Sequence, residues 1–363
     1  MKLDDIYTEK QLIYNSPISD ICKAKPVNRV IDNDDDSTDD STWVCLKIVD
    51  VDFKIPPHSI RREIEAIKRL QPHKGIVHYI KDFQIIDDVI LVERYYAMNL
   101  SQLINSERYC KKRIKYNLNE PSEQPKCVLT NIINPIEIQQ FLTVFIDALH
   151  FIHANEIIHR DIKPSNILFA SNELKNPVIA DFGICYDYKS PPLDEPIHEK
   201  YIDVCTGIYK SPELLLGMTN YSYEIDVWSL GIILTILYSK NFKSVLLQGE
   251  GEELDEMNNE SSISDLHLLS CLFKNFGTPY YDEGKEDSKA DEEDEEEELL
   301  WKELSNDEYH FKKFNLKKFK RRPIDELIPI CNDDLIKKLF IGMIRYDREK
   351  RITSKELYEV IRH

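Results

Sequence analysis

A chain of 363 residues with 42% hydrophobic content is long enough for two to three lobes around sizeable cores. No apolar run approaches the roughly 18 to 20 residues of a membrane span, and the N-terminal "MKLDDIYTEKQL" lacks the apolar core of a secretory signal, so the expectation is a cytoplasmic or nuclear protein with no membrane partner. The net charge of −18 sits almost wholly in two tracts, residues 32–40 with six acids and no base and 282–298 with twelve acids and two lysines, so the remainder is close to neutral.

Neither tract can bury apolar surface, and both read as solvated insertions. The basic stretch "FKKFNLKKFKRRP" (311–323) is available to pair with the second tract or with an acidic partner, and a solvated helix face explains it equally well. No broad basic surface argues for nucleic acid as a ligand. The eight cysteines show no C-x-x-C pairing and no histidine at metal spacing, which reads as scattered reduced thiols.

In chain order, "KQLIYNSPISDICKAK" (10–25) comes first and holds no glycine; the first glycine of the chain is Gly75. "TWVCLKIVDV" (42–51), "GIVHYIKDF" (75–83) and "DVILVERYY" (88–96) read as strands. Between the first two of these, "SIRREIEAIKRL" (59–70) places apolar residues at 60, 64, 67 and 70, one face of a helix. After residue 97 helical patterns take over, at 134–155, 224–239, 334–344 and 353–362. The expected organisation is α+β and bilobal. An N-terminal extension (1–9) precedes a small β-rich lobe (10–97, acidic insertion 32–40) and a larger helical lobe (98–363, insertions about 105–135 and 242–300).

The chemistry is concentrated in "IIHRDIKPSNILFA" (157–170) and "VIADFGIC" (178–185). Lys163, Asn166 and Asp181 follow Asp161 by two, five and twenty residues. This joint spacing resembles the catalytic loop and metal-binding motif of the eukaryotic protein kinases, and the resemblance covers roughly residues 10–362 apart from the insertions.

The resemblance implies phosphoryl transfer from ATP with Mg2+, a reaction in which the protein positions groups and neutralises charge. Asp161 would accept or orient the substrate hydroxyl proton, and Lys163 would stabilise the transferred group. Asn166 and Asp181 would hold the metal. Lys47 of "WVCLKIV" would anchor ATP, fixed by Glu63, while Glu65 points elsewhere. Ile21 would cover the adenine, and Tyr95 and Tyr96 would lie in the adenine hinge within 93–96. The position just before the hinge falls to Val92 or to Glu93. Thr206 of "TGIYKSPELLLG" (206–217) would bridge to Asp161 and Lys163, Glu213 would pair with Arg351, and Asp226 would brace the catalytic loop.

Within the kinases, "GIYKSPELLLG" and "YDREKRIT" lean towards the cyclin-dependent group. "MKLD", "DFKIPPH", "AMNL" and the absent glycine loop resemble more closely the monomeric kinases of budding yeasts that activate cyclin-dependent kinases. This implies a monomer whose protein substrate is a cyclin-dependent kinase, phosphorylated on its activation-loop threonine, with no cyclin required. Lys210 stands where proline-directed relatives carry arginine, and lysine cannot make the same forked contacts.

Arg160 beside the catalytic aspartate calls for an anionic partner. Residues 191–205 contain no serine or threonine, and Asp194, Glu195, Glu199 and Asp203 offer the charge instead. The expectation is activity without activation-loop phosphorylation. Aligned with other kinases, Tyr14, Ser16 and Ser19 replace the three loop glycines. Small serines are expected to keep much of the close backbone approach to phosphate that glycine provides, and Pro17 stiffens the tip without an N–H to give. The phosphates should then be held less tightly by the loop, with Lys47, the metals and Ile21 carrying more. Two rival readings stand beside this one: a general Ser/Thr kinase, and a pseudokinase scaffold suggested by the missing glycines.

Overall fold

The computed structural model describes residues 2–27, 43–52, 55–116, 125–247, 263–281, 298–306 and 317–362. The acidic tract 32–40 and nearly all of 282–298 lie outside them, as does half of the basic stretch. One contact between the two regions is described, an ion pair of Arg321 with Glu298.

The N-terminal lobe is a five-stranded antiparallel sheet of β1 (Tyr7–Asn15), β2 (Asp20–Pro26), β3 (Val44–Asp50), β4 (Tyr79–Ile85) and β5 (Asp88–Arg94), ordered β1-β2-β3-β5-β4. Side chains alternate across a strand. Ala24, Val44, Leu46, Ile90 and Val92 therefore gather with Tyr7 on the outer face. Val49 and Leu91 point the other way, into the main core. Ile21 pairs with Lys47, and Cys45 with Glu93, so these four share the inner face with Leu91. The first strand starts at Tyr7, inside the stretch expected to be an extension. Tyr7 is buried and completes the outer cluster, which ties the chain start into the sheet.

Helix α1 (Ile60–Leu70) starts where the Ser59 side chain accepts the Arg62 N–H. Ile60, Ile64, Ile67 and Leu70 are buried as the spacing predicts; Glu63 is buried with them and Glu65 is exposed.

The larger lobe is built on α2 (Leu100–Ile104), α3 (Pro135–Ala154), α4 (Pro212–Leu215), α5 (Glu224–Leu237), α6 (Asp265–Phe276), α7 (Ile324–Leu327), α8 (Asp334–Met343) and α9 (Ser354–Ile361). Every residue of α5 from Ile225 to Leu237 is buried, as an all-round apolar helix requires; its Trp228 packs edge-on against Phe276 of α6, and Phe141 and Phe145 of α3 and Phe340 of α8 belong to the same core. Short strands complete the lobe: β6 (Met98–Asn99), β7 (Cys110–Lys115), β8 (Lys126–Asn131), β9 (Ile157–Ile158), β10 (Ile167–Phe169), β11 (Val178–Ile179) and β12 (Tyr186–Asp187). Much of 105–135, expected as an insertion, is the hairpin β7–β8. It is docked on the lobe, because Asn131 Nδ2 donates to the Leu237 and Ser239 carbonyls at 2.8 Å. Among the described residues no helix is long and apolar enough to cross a membrane.

Candidate active site

After β9 the chain turns through His159, Arg160 and Asp161, and the antiparallel pair β10–β11 then returns it beside the same loop, with the Ala180 N–H donating to the Asn166 carbonyl at 3.0 Å. Arg160 and Asp181 hold φ of 68° and 65°, an uncommon conformation for residues other than glycine that persists when surrounding bonds impose it. At Arg160 buried Asp226 supplies such bonds, and at Asp181 the Lys47 ammonium does. Asp226 accepts the His159 and Arg160 N–H groups at 2.8 and 2.9 Å and lies 2.9 Å from His153 Nε2. Burial pushes its carboxyl up, but His153 and His159 outweigh burial and hold it below the usual range.

Asp161 is fixed at both oxygens. Thr206 Oγ1 donates to Oδ1 at 2.8 Å, while Lys163 Nζ and Asn166 Nδ2 approach Oδ2 at 2.8 and 2.9 Å. Lys163 also donates to Thr206 at 2.8 Å, which makes the expected bridge. A carboxylate so held at the floor of the cleft can orient a hydroxyl and take its proton, with an ammonium alongside for the transferred phosphoryl group.

Across the cleft, Lys47 Nζ lies 2.8 Å from Glu63 and 2.7 Å from Asp181 Oδ1. Burial raises the Asp181 carboxyl, yet the Lys47 charge and hydrogen bond prevail and hold it well below the usual carboxylate range. A side chain at Gly183 would place its Cβ 3.2 Å from Asp181 Oδ1 and 3.3 Å from Lys47 Nζ, so this close ion triad explains the glycine. Phe182 is buried edge-on against His159, ring centroids 4.8 Å apart.

The donor set fits a hard divalent cation. Asn166 uses its amide N–H groups on the Asp161 backbone and side-chain oxygens, which leaves Oδ1 as its free acceptor, and Asp181 keeps Oδ2 beyond the Lys47 contact. No cluster of three or more His, Cys, Asp or Glu side chains suited to a metal occurs among the described residues. Asn166 Oδ1 and Asp181 Oδ2 would then be one or two protein oxygens for such a cation, the number typical of Mg2+ bound together with phosphate.

Ile21 faces the cleft opposite Lys47. Tyr95 follows β5, its ring 5.5 Å from the Lys23 ammonium. The Tyr96 ring packs against the main core, with the Arg94 guanidinium 6.0 Å away. Register resolves the open position before the hinge: Val92 belongs to the outer cluster, so Glu93 is the residue on the cleft face.

The serine loop differs from the expectation. Ser16 Oγ accepts the N–H groups of Ile18 and Ser19 at 3.2 and 3.0 Å, and the Ser16 N–H bonds the Ser19 carbonyl at 3.0 Å. Pro17 has no N–H. The Ser16 hydroxyl thus engages two backbone donors of the turn that a glycine would leave free.

In the activation segment Arg160 is fully buried against Glu195 and bonds Tyr221 Oη at 3.1 Å and the Ile184 carbonyl at 2.6 Å. Glu195 also accepts the Tyr201 N–H at 3.0 Å and lies 3.8 Å from Arg62 of α1. Among the four candidate acids, Asp194 meets the Tyr201 hydroxyl at 3.2 Å, Asp203 faces Lys210 at 3.6 Å, and Glu199 is exposed. Lys210 is also 3.2 Å from Asp265 of α6. Glu213 and Arg351 form the expected buried pair at 2.6 and 2.9 Å. Arg62 was not singled out by the sequence, since nothing in "SIRREIEAIKRL" separates it from Arg61.

The protein kinase domain description matches residues 35–360, and the chain belongs to the protein kinase family. Its relatives place it with the serine/threonine kinases, cyclin-dependent kinases among them. It is similar to serine/threonine-protein kinase CAK1 of Saccharomyces cerevisiae, 31% identical over 259 residues covering 66% of this chain and 69% of that protein. It is also similar to a probable serine/threonine-protein kinase of Dictyostelium discoideum, 35% identical over 179 residues (49% of this chain, 29% of the relative). A third relative is cyclin-dependent kinase 20 of Danio rerio, 24% identical over 304 residues (83% and 69%).

Proposed function

We propose that this serine/threonine kinase uses ATP with Mg2+ to phosphorylate the activation-loop threonine of a cyclin-dependent kinase, acting as a monomer without a cyclin, in the cytoplasm or nucleus. Asp161 serves as the base, Lys163 supports the transferred group, Asn166 and Asp181 hold Mg2+, and Lys47 anchors the nucleotide. The observation that carries the reading is the Glu195–Arg160 pair: a carboxylate of the chain itself supplies the charge that a phosphorylated loop residue would otherwise provide. Such a kinase stands ready to activate others without first being phosphorylated there. Similarity to the serine/threonine-protein kinase CAK1 of yeast supports the serine/threonine kinase activity, and Lys210, tied to Asp265, weighs against strict proline-directed selection.

The test is phosphate transfer to a folded cyclin-dependent kinase, to the same protein with its activation-loop threonine changed to alanine, and to a peptide of the loop, with Asp161→Asn as control. Transfer to the folded target far above the other two is the expected outcome. Equal use of peptide and folded protein supports a general Ser/Thr kinase. No transfer above the control supports the scaffold, which the intact Asp161, Lys163 and Lys47 contacts disfavour.

A further inference from the structure

Glu93 carries a buried side-chain oxygen with no hydrogen-bond partner among the described residues. It lies near the end of β5, two residues past Leu91 and across from Cys45, where the sheet gives way to the stretch that crosses into the larger lobe. The side chain faces the cleft, the residue is only 8% exposed, and Oε1 has no hydrogen-bond partner. Leaving such an atom unpaired is costly, and an aliphatic residue at the same place would avoid the cost. Lys47, on the same face, is already held by Glu63 and Asp181. Burial, reinforced by the Glu63 charge, pushes the Glu93 carboxyl up to about 8, so at neutral pH it is largely uncharged.

Position along the strands says what would meet it. Lys47 marks the phosphate end of a nucleotide. Cys45 and Glu93 lie two residues nearer the crossing, roughly 7 Å along the strand direction, on the side where the base must lie. Adenine has one hydrogen-bond donor group, its exocyclic amine, and the unpaired oxygen of Glu93 is an acceptor without a donor. The terminal torsion of a glutamate is broad and two-fold, so either oxygen can be presented. We infer that Glu93 reads position 6 of the purine, accepting a hydrogen bond from the ATP amine, and is a specificity-determining residue of the nucleotide site. This rests on the reading of the cleft as an ATP site.

The experiment is a double-mutant cycle on binding. Dissociation constants are measured by calorimetry for ATP and for purine riboside 5′-triphosphate, which lacks the amine, both with Mg2+, on the wild-type protein, Glu93→Leu and Glu93→Gln. Near-isosteric Glu93→Met replaces the leucine variant if that one fails to fold. Deleting the amine is expected to weaken binding at least about fivefold more in the wild type than in Glu93→Leu or Glu93→Met, a coupling of about 1 kcal/mol, and Glu93→Gln should retain most of it. The same ATP-to-analogue ratio in the wild type and the aliphatic variant overturns the inference and leaves the ATP site standing. A wild type that binds neither nucleotide overturns the ATP site itself.

Discussion

Glu195 meets Arg160 in full burial, joining the activation segment to the catalytic loop one residue before Asp161, and Arg62 of α1 stands 3.8 Å from the same carboxylate. One acid therefore ties together three elements that must be aligned for transfer.

Removing one partner of a buried ion pair leaves the other charge uncompensated, a loss of about 3–5 kcal/mol. Glu195→Ala should therefore lower the melting temperature and reduce kcat by at least about tenfold, whereas exhaustive phosphatase treatment of the wild type should leave activity unchanged. A phosphatase-sensitive wild type would mean that Glu195 is not the activating charge.

Asp161→Asn and Asn166→Ala should fail in different ways. The first keeps the shape but loses the proton acceptor, and kcat should fall by about 10²–10⁴ with ATP binding preserved. The second removes a candidate metal oxygen, so the Mg2+ concentration needed for half-maximal rate should rise. A Mg2+ titration of each variant, with nucleotide affinity measured in parallel, separates the two effects.

The buried Glu93 carboxyl makes a signed prediction about stability. Its proton is retained in the fold up to about pH 8, while the unfolded chain releases it near 4.5. The folded protein therefore binds more protons between those values, and stability is lost as pH rises through them. Cys45 and Lys47 of β3, Tyr79 of β4, Glu63 of α1 and Asp181 remain in place in a Glu93→Gln variant. Thermal unfolding from pH 5 to 8 should show the wild type losing stability relative to that variant, by up to a few kcal/mol. Parallel curves would show that the carboxyl is already ionised at pH 5.

Ser16→Gly with Ser19→Gly should lower the apparent KM for ATP. Without the Ser16 hydroxyl, the N–H groups of residues 18 and 19 are released to face phosphate. Steady-state kinetics with varied ATP provides the check; an unchanged or higher KM would show that loop donors are not what limits binding.

Much of the site was legible because its chemistry is written in local spacing. Asp161, Lys163, Asn166 and Asp181 sit on one turn and one short strand pair, so their separation in sequence follows from their roles. Glu63 followed from helix period and Lys47 from a β-rich run before that helix. What escaped depends on pairing or path. Choosing between Val92 and Glu93 needs the register with β3, since a one-residue slip exchanges the faces. Choosing Glu195 from four acids needs the route of a segment that has no repeating pattern. Most of β1 is exposed and polar, which is why its start at Tyr7 gave no alternating signal, and the β7–β8 pair was obscured by the exposed, basic strand β7.

The serine turn between β1 and β2 bears on the catalytic cycle as well as on affinity. A glycine loop left with vacant donors gains order when a nucleotide arrives and gives it up when the product departs. Here the turn is already closed on itself, so little ordering entropy is exchanged at either step. On the proposed ATP reading, nucleotide capture and release would then be events of the cleft walls rather than of a closing flap.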